Sequence, residues 1–200
     1  MEDFLTLLAA GSLISAAAFI TKNLVSEKLL NFVNKEISIS DKRGKKTKFF
    51  VKFNTPDEEV FKLLDRELEF EKKVKNALNK YIRSHKEIDL NLSEESTFDF
   101  LVSSEDKKIG FEAKSSINSF KAEWIRDYFN ENSEISELIM VVESEVPDNI
   151  FNEIKHSELG GKVKFVSSPQ GTNLNQSIEN ILNSELPKLQ LNKSLLRTSR

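Results

Sequence analysis

The chain has 200 residues, 38% hydrophobic and 30% charged, enough for one packed domain with an appendage and too apolar for a disordered chain. It contains no cysteine, which excludes disulfides, cysteine–zinc sites and thiol catalysis. The net charge of −3 excludes a uniformly basic nucleic-acid binder but leaves room for a local basic surface, since residues 21–53 carry nine Lys/Arg against three acids.

From Phe4 to Ile20 the chain is uncharged (FLTLLAAGSLISAAAFI). As a helix rising about 1.5 Å per residue it would be about 25 Å long, slightly short of a bilayer's hydrocarbon core. Acids precede it and Lys22, Lys28 and Lys35 follow, so residues 1–22 read as a membrane anchor with the N-terminus outside and the bulk at the cytoplasmic face. The alternative is a helix packed in an assembly of a cytoplasmic protein, because Ala, Gly and Ser allow close approach.

A second unit, residues 23–55, begins with an amphipathic helix over 23–34, with Val25, Leu29, Phe32 and Val33 on one side. A β-hairpin follows, EISIS and TKFFVKF flanking a basic tip. Lys42, Arg43, Lys45 and Lys46 at that tip are candidate contacts for phosphates or anionic headgroups, or simply solvate a turn.

Thr55-Pro56-Asp57-Glu58 predicts a helix start, threonine capping and Glu58 closing a capping box, with the helix running to about Arg83. Its apolar stripe includes Val60, Leu64, Val74, Leu78 and Tyr81, and Glu67 and Glu71 lie on that stripe, where charge needs a partner or a site. The period then changes to alternation. Ile88, Leu90 and Leu92 predict one strand, TFDFLVS a second and KKIGFEAK a third. A helix is expected over 119–130, a strand covered on both faces at LIMVVES, a helix over 151–159, a strand over 162–166 and a last helix over 177–186.

If the second and third strands form a hairpin turning at Glu105-Asp106, Asp99 faces Glu112 and Phe100 faces Phe111. Phe98, Phe100, Val102, Ile109, Phe111 and Ala113 then share one face, and Asp99, Glu112 and Lys114 the other. Two facing carboxylates repel. A hard divalent cation turns that repulsion into coordination, and Mg²⁺ takes one or two carboxylates plus waters and phosphates. With an ammonium two residues on, the arrangement points to phosphodiester hydrolysis.

These residues, Asp99 within FDFLV, Glu112-Ala113-Lys114 within IGFEAK and the helix segment Phe70-Glu71-x-x-Val74, resemble the PD-(D/E)XK nuclease superfamily over about half the chain. The nuclease-related-domain branch is a nearer point of comparison, although its glycines before the helix glutamate are missing here. The resemblance implies an α/β, restriction-endonuclease-like α-β-β-β-α-β core with a mixed sheet, preceded by the apolar helix and the hairpin. It implies Mg²⁺ (or Mn²⁺) held by Asp99, Glu112 and the Ala113 carbonyl, assisted by Glu71 (Glu67 second), with Lys114 catalytic. The expected function is metal-dependent cleavage of nucleic acid, DNA first, by a domain spanning residues 56–186, followed by a basic tail at 187–200. The tethered position suits an enzyme directed at foreign DNA, and double-strand cutting would favour a homodimer or a partner protein. The rival expectations are a non-catalytic binding or assembly module of the same fold and a membrane-associated scaffold. His85 and His156 read as isolated surface residues, and Trp124 as core.

Overall fold

A computed structural model describes residues 34–40, 46–116, 122–169 and 172–186. The expected apolar helix at 4–20, most of the amphipathic helix, the hairpin tip at 41–45 and the tail from 187 lie outside these residues. Among the described residues no helix is long and apolar enough to cross a membrane.

The elements in chain order are β1 (Asn34–Ser40), β2 (Lys46–Lys52), α1 (Asp57–Ser84), β3 (Asn91–Glu94), β4 (Phe100–Ser103), β5 (Lys108–Lys114), α2 (Ala122–Glu131), β6 (Glu137–Val142), α3 (Asp148–Lys155), β7 (Val163–Ser167) and α4 (Leu174–Glu185). The protein is thus α/β, with a five-stranded mixed sheet in the order β3-β4-β5-β6-β7 and a separate β1–β2 hairpin. β3, β4 and β5 are mutually antiparallel, whereas β6 and β7 run parallel to β5. The β4–β5 register pairs Phe100 with Phe111 and Val102 with Ile109, as the alternation predicts.

Helices cover both faces. Phe70, Val74 and Leu78 of α1, with Ile178 and Leu182 of α4, bury Ile109, Phe111, Ile139 and Val141. Trp124, Ile125 and Tyr128 of α2, with Ile154 of α3, bury the alternate residues Leu138, Met140 and Val142. Hence β6 reads as an unbroken apolar run. Gly110 of β5 faces α2's side of the sheet, and a Cβ there would stand 3.2 Å from Leu138 Cδ1. Gly110→Ala should therefore cost about 1 kcal/mol in denaturant unfolding, as mild overpacking does.

Several boundaries differ from expectation. Thr55 does not cap α1: Pro56 is the N-cap residue, with no side-chain cap bond, and its carbonyl takes the amides of Glu59 and Val60. Asp57, Glu58 and Glu59 still favour the helix's positive end. β3 begins three residues after the expected Ile88, because turn bonds from the His85 amide to the Ile82 carbonyl and from the Ile88 amide to the His85 carbonyl close off α1 first. His85 is buried rather than superficial, stacked on Tyr81 at 4.1 Å with Nδ1 2.9 Å from the Tyr81 carbonyl. His156 is exposed and ends α3, which starts at Asp148 behind Pro147 instead of at Phe151. Asn173 caps α4, its side chain accepting from Gln176 N, so that helix starts three residues before Ser177.

Phe98 also departs from the alternation. It packs with Leu101 and Ile135, not with Phe100 and Val102. The cause is at Asp99, whose amide donates to Phe111 O while its carboxylate accepts from Ala113 N, so regular pairing stops at Phe100.

At the other end of β5 a charge network ties α4 to the sheet. Lys107 donates to Glu137 Oε1, Glu185 Oε2 and the Glu185 carbonyl, and Lys164 pairs with Glu137 and Glu185. Burial alone would raise the Glu185 carboxyl, but the bonds of Glu137, Lys164, Lys107 and Ser184 outweigh it and hold it down to about 2. A carboxyl lowered in the fold contributes stability that is fully present above its unfolded value of 4.5 and is lost as pH falls toward 2. Glu185→Gln should cost about 1–2 kcal/mol at pH 7. Urea unfolding should show that difference vanishing between the two pKa values.

Candidate active site

The three residues singled out by the strand pattern meet at the C-terminal end of β5, the strand that joins the antiparallel and parallel halves of the sheet. Carboxyl ends of strands are where open α/β sheets bind ligands. Asp99, Glu112 and Lys114 are 6%, 4% and 2% exposed, so each charge there must find a partner in the protein.

The partners are specific. Asp99 Oδ2 accepts from the Ala113 amide at 2.7 Å. Lys114 Nζ lies 2.7 Å from Glu112 Oε1, and the same oxygen accepts from Tyr128 OH at 3.0 Å. Glu67 of α1 completes the cluster: its Oε2 accepts from the Ser115 amide at 2.8 Å and from Ser115 Oγ at 2.6 Å. Its Oε1 lies 3.3 Å from Lys114 Nζ, yet that buried oxygen has no hydrogen-bond partner. Distance and geometry differ here because the ammonium is near enough to attract the charge but is not aimed at the oxygen.

The helix glutamate in this cluster is thus Glu67, the second of the two considered. Glu71, one turn on, is half-buried. Ala113 is buried within β5. Lys46 is the first residue of β2, and Lys42, Arg43 and Lys45 lie outside the described residues. Tyr128 and Ser115 carry no mark of a site in the sequence, and only the packing of α2 on β5 brings the Tyr128 hydroxyl to Glu112.

Burial, then the charge of Asp99, push the Glu112 carboxyl up to about 7, while Lys114 and Tyr128 oppose the rise. For Lys114, burial is outweighed by Glu112, Glu67 and the neighbouring groups, which hold it well above its ordinary value. Lys114 is therefore an ammonium at neutral pH. Tyr128→Phe removes one of the interactions that lower Glu112, so a carboxyl titration followed by NMR should move further up. Loss of that bond should also destabilise the fold by about 1–2 kcal/mol.

Among the described residues no three of His, Cys, Asp and Glu gather as a ready metal cage. Mg²⁺ does not require one, being held by one or two carboxylates, waters and substrate phosphate. The donor set fits that ion: Asp99 raises the pKa of Glu112, and Glu67 Oε1 is a buried oxygen without a hydrogen bond. Two cavities found among the described residues lie elsewhere, one along Asn76, Asn79, Lys80 and Arg83 of α1, the other between α2 and α3 near Arg126 and Glu153.

No protein-family model, curated protein or solved structure matched this chain.

Proposed function

We propose that this chain is a metal-dependent nuclease of PD-(D/E)XK type, hydrolysing phosphodiester bonds in nucleic acid, DNA first. The single observation that carries the reading is the buried cluster of Asp99, Glu112, Lys114 and Glu67 at the end of the central strand. The element order α1-β3-β4-β5-α2-β6 around it agrees with the α-β-β-β-α-β core of that superfamily. The cluster is costly as structure alone, because burying charge seldom adds stability even when paired.

In this reading Asp99, Glu112 and the Ala113 carbonyl hold Mg²⁺ or Mn²⁺, with Glu67 taking the helix position first given to Glu71. The ion supplies a polarised phosphoryl oxygen and an acidified water. Lys114 places its ammonium where negative charge grows on the phosphorus oxygens. Tyr128 and Ser115 fix the two glutamates. Tethering through residues 4–20 at the cytoplasmic face, and action on foreign DNA, belong to the same proposal and rest on sequence alone.

One observation favours a second reading, a non-catalytic module: Lys114 already neutralises Glu112, and the cluster is closed. The test is incubation of the full chain with supercoiled, linear and single-stranded DNA in Mg²⁺ or Mn²⁺, beside Asp99→Asn. Cleavage lost in the variant is expected. Inactivity on every substrate, with no Mn²⁺ binding by calorimetry, would sink the nuclease and leave the module.

A further inference from the structure

The β1–β2 hairpin offers a surface that the cluster chemistry does not use. Its register pairs Ile37 with Phe49, Ser38 with Lys48 and Asn34 with Lys52. Alternation then divides the ribbon into two unlike faces. Phe49 and Val51, with Ile37 and Ile39, pack on Val60 and Leu64 of α1. The opposite face carries Lys48, Phe50 and Lys52, and it meets α2: the Phe50 ring stacks on Trp124 at 5.2 Å and 14°, with Lys48 Nζ 5.8 Å from the Trp124 ring centroid. The ribbon is therefore clasped between the first turns of α1 and of α2. Trp124 stands one helical turn from Tyr128, which bonds Glu112, and Leu64 stands one turn from Glu67.

Two lysines, Lys48 and Lys52, share this face with one carboxylate, Glu36, which stands opposite Phe50 in the register. Elsewhere the sheet lysines are spent on carboxylates, Lys107 on Glu137, Lys108 on Glu134 and Lys164 on Glu185. Among the described residues no carboxylate pairs with Lys48 or Lys52, and Lys52 is exposed. The face stays net positive in a chain of net charge −3, and the Phe50–Trp124 stack sets it beside α2, one helical turn from the Tyr128 that bonds Glu112, a sign and a place suited to a polyanion.

We infer that the Lys48–Lys52 face of β2 is a docking surface for a nucleic-acid backbone, which it guides along α2 toward the Glu112 cluster. The inference rests on the nuclease reading for its ligand class. It makes the Phe50–Trp124 stack the joint between the docking surface and the site.

Trp124, the sole tryptophan of the chain, is its own reporter. The experiment titrates the full chain with a fluorescein-labelled DNA duplex, without divalent cations, over a range of salt concentrations. Anisotropy and Trp124 emission are read for the parent and for Lys48→Gln/Lys52→Gln. Both changes lie off the apolar face, and an unchanged unfolding midpoint verifies the fold. The double variant should bind more weakly, and the slope of log K against log salt should fall in magnitude by about 2, one step of about 0.9 per phosphate contact. Trp124 emission should change on binding in the parent. Unchanged affinity and slope in the double variant would overturn the inference, as would retention on anionic phospholipid vesicles, but not on DNA, that depends on the same two lysines. The two readings fail separately. Binding through Lys48 and Lys52 without any cleavage keeps this surface and loses the nuclease. Cleavage with an unaltered salt slope does the reverse.

Discussion

Lys114→Met should destabilise the protein by about 3–5 kcal/mol at pH 8, the range for removing one partner of a buried charge pair. Methionine matches the stem's length, so the loss is electrostatic and not a cavity. Lys114 is 2% exposed and is the cation for Glu112 Oε1 at 2.7 Å and Glu67 Oε1 at 3.3 Å. Without it those two carboxylates, with Asp99 beside them, remain buried and uncompensated. The defect should depend on pH in a fixed direction. Glu112 titrates at about 7 in the fold, above its ordinary 4.5, so its protonated form is favoured in the folded state and its ionisation weakens the fold as pH rises through that interval. At pH 5 the variant should therefore lie closer to the parent than at pH 8. Mn²⁺ should restore part of the loss at pH 8 by supplying positive charge. Equal denaturant midpoints for variant and parent at pH 8 would show that the cluster is not held as an ion network.

If the chain is the nuclease proposed, Glu112→Gln should lower metal-dependent cleavage by roughly 10³-fold while leaving the protein folded, a loss of the size seen when one electrostatic element is removed from a preorganised site. The amide keeps the carboxylate's shape and an oxygen for Tyr128, so the α2 contact survives. What disappears is the negative charge opposite Asp99 that a divalent cation needs. Lys114 keeps Glu67 as a counter-ion, which limits the cost to stability. Cleavage rates and Mn²⁺ calorimetry on one preparation would check both halves. A variant that cuts as fast as the parent would remove Glu112 from the site.

What the sequence made legible was whatever depends on local period. The Phe100–Phe111 register, the doubly covered β6 and the nearness of Glu112 to Lys114 follow from period-two alternation, whereas Asp99 reaches the cluster past the end of the ladder, through the Ala113 amide. The resemblance favours Glu71 over Glu67, yet Glu67 is the one in the cluster, because period alone does not separate two residues four apart on the stripe of α1. Which turn reaches Ser115 depends on how far α1 slides along the sheet, and that is set by tertiary packing. Phe98 changed sides because a side-chain acceptor interrupted the ladder, an event that alternation does not encode. Thr55 did not cap because Pro56 took the N-cap position with extended backbone, φ −60° and ψ 150°.

The bond from the Ala113 amide to the Asp99 carboxylate has a consequence for descent. Folding requires only an acceptor at that position, so a lineage that abandoned chemistry would still be selected to keep aspartate or asparagine there. Glu112 is bonded by Lys114 and Tyr128, but its burial and the charge of Asp99 work against its ionised form, the form that the proposed metal site would need. Drift would replace it first. In related chains, Glu112's position is therefore the better witness to whether the proposed chemistry is kept, and Asp99's a poor one.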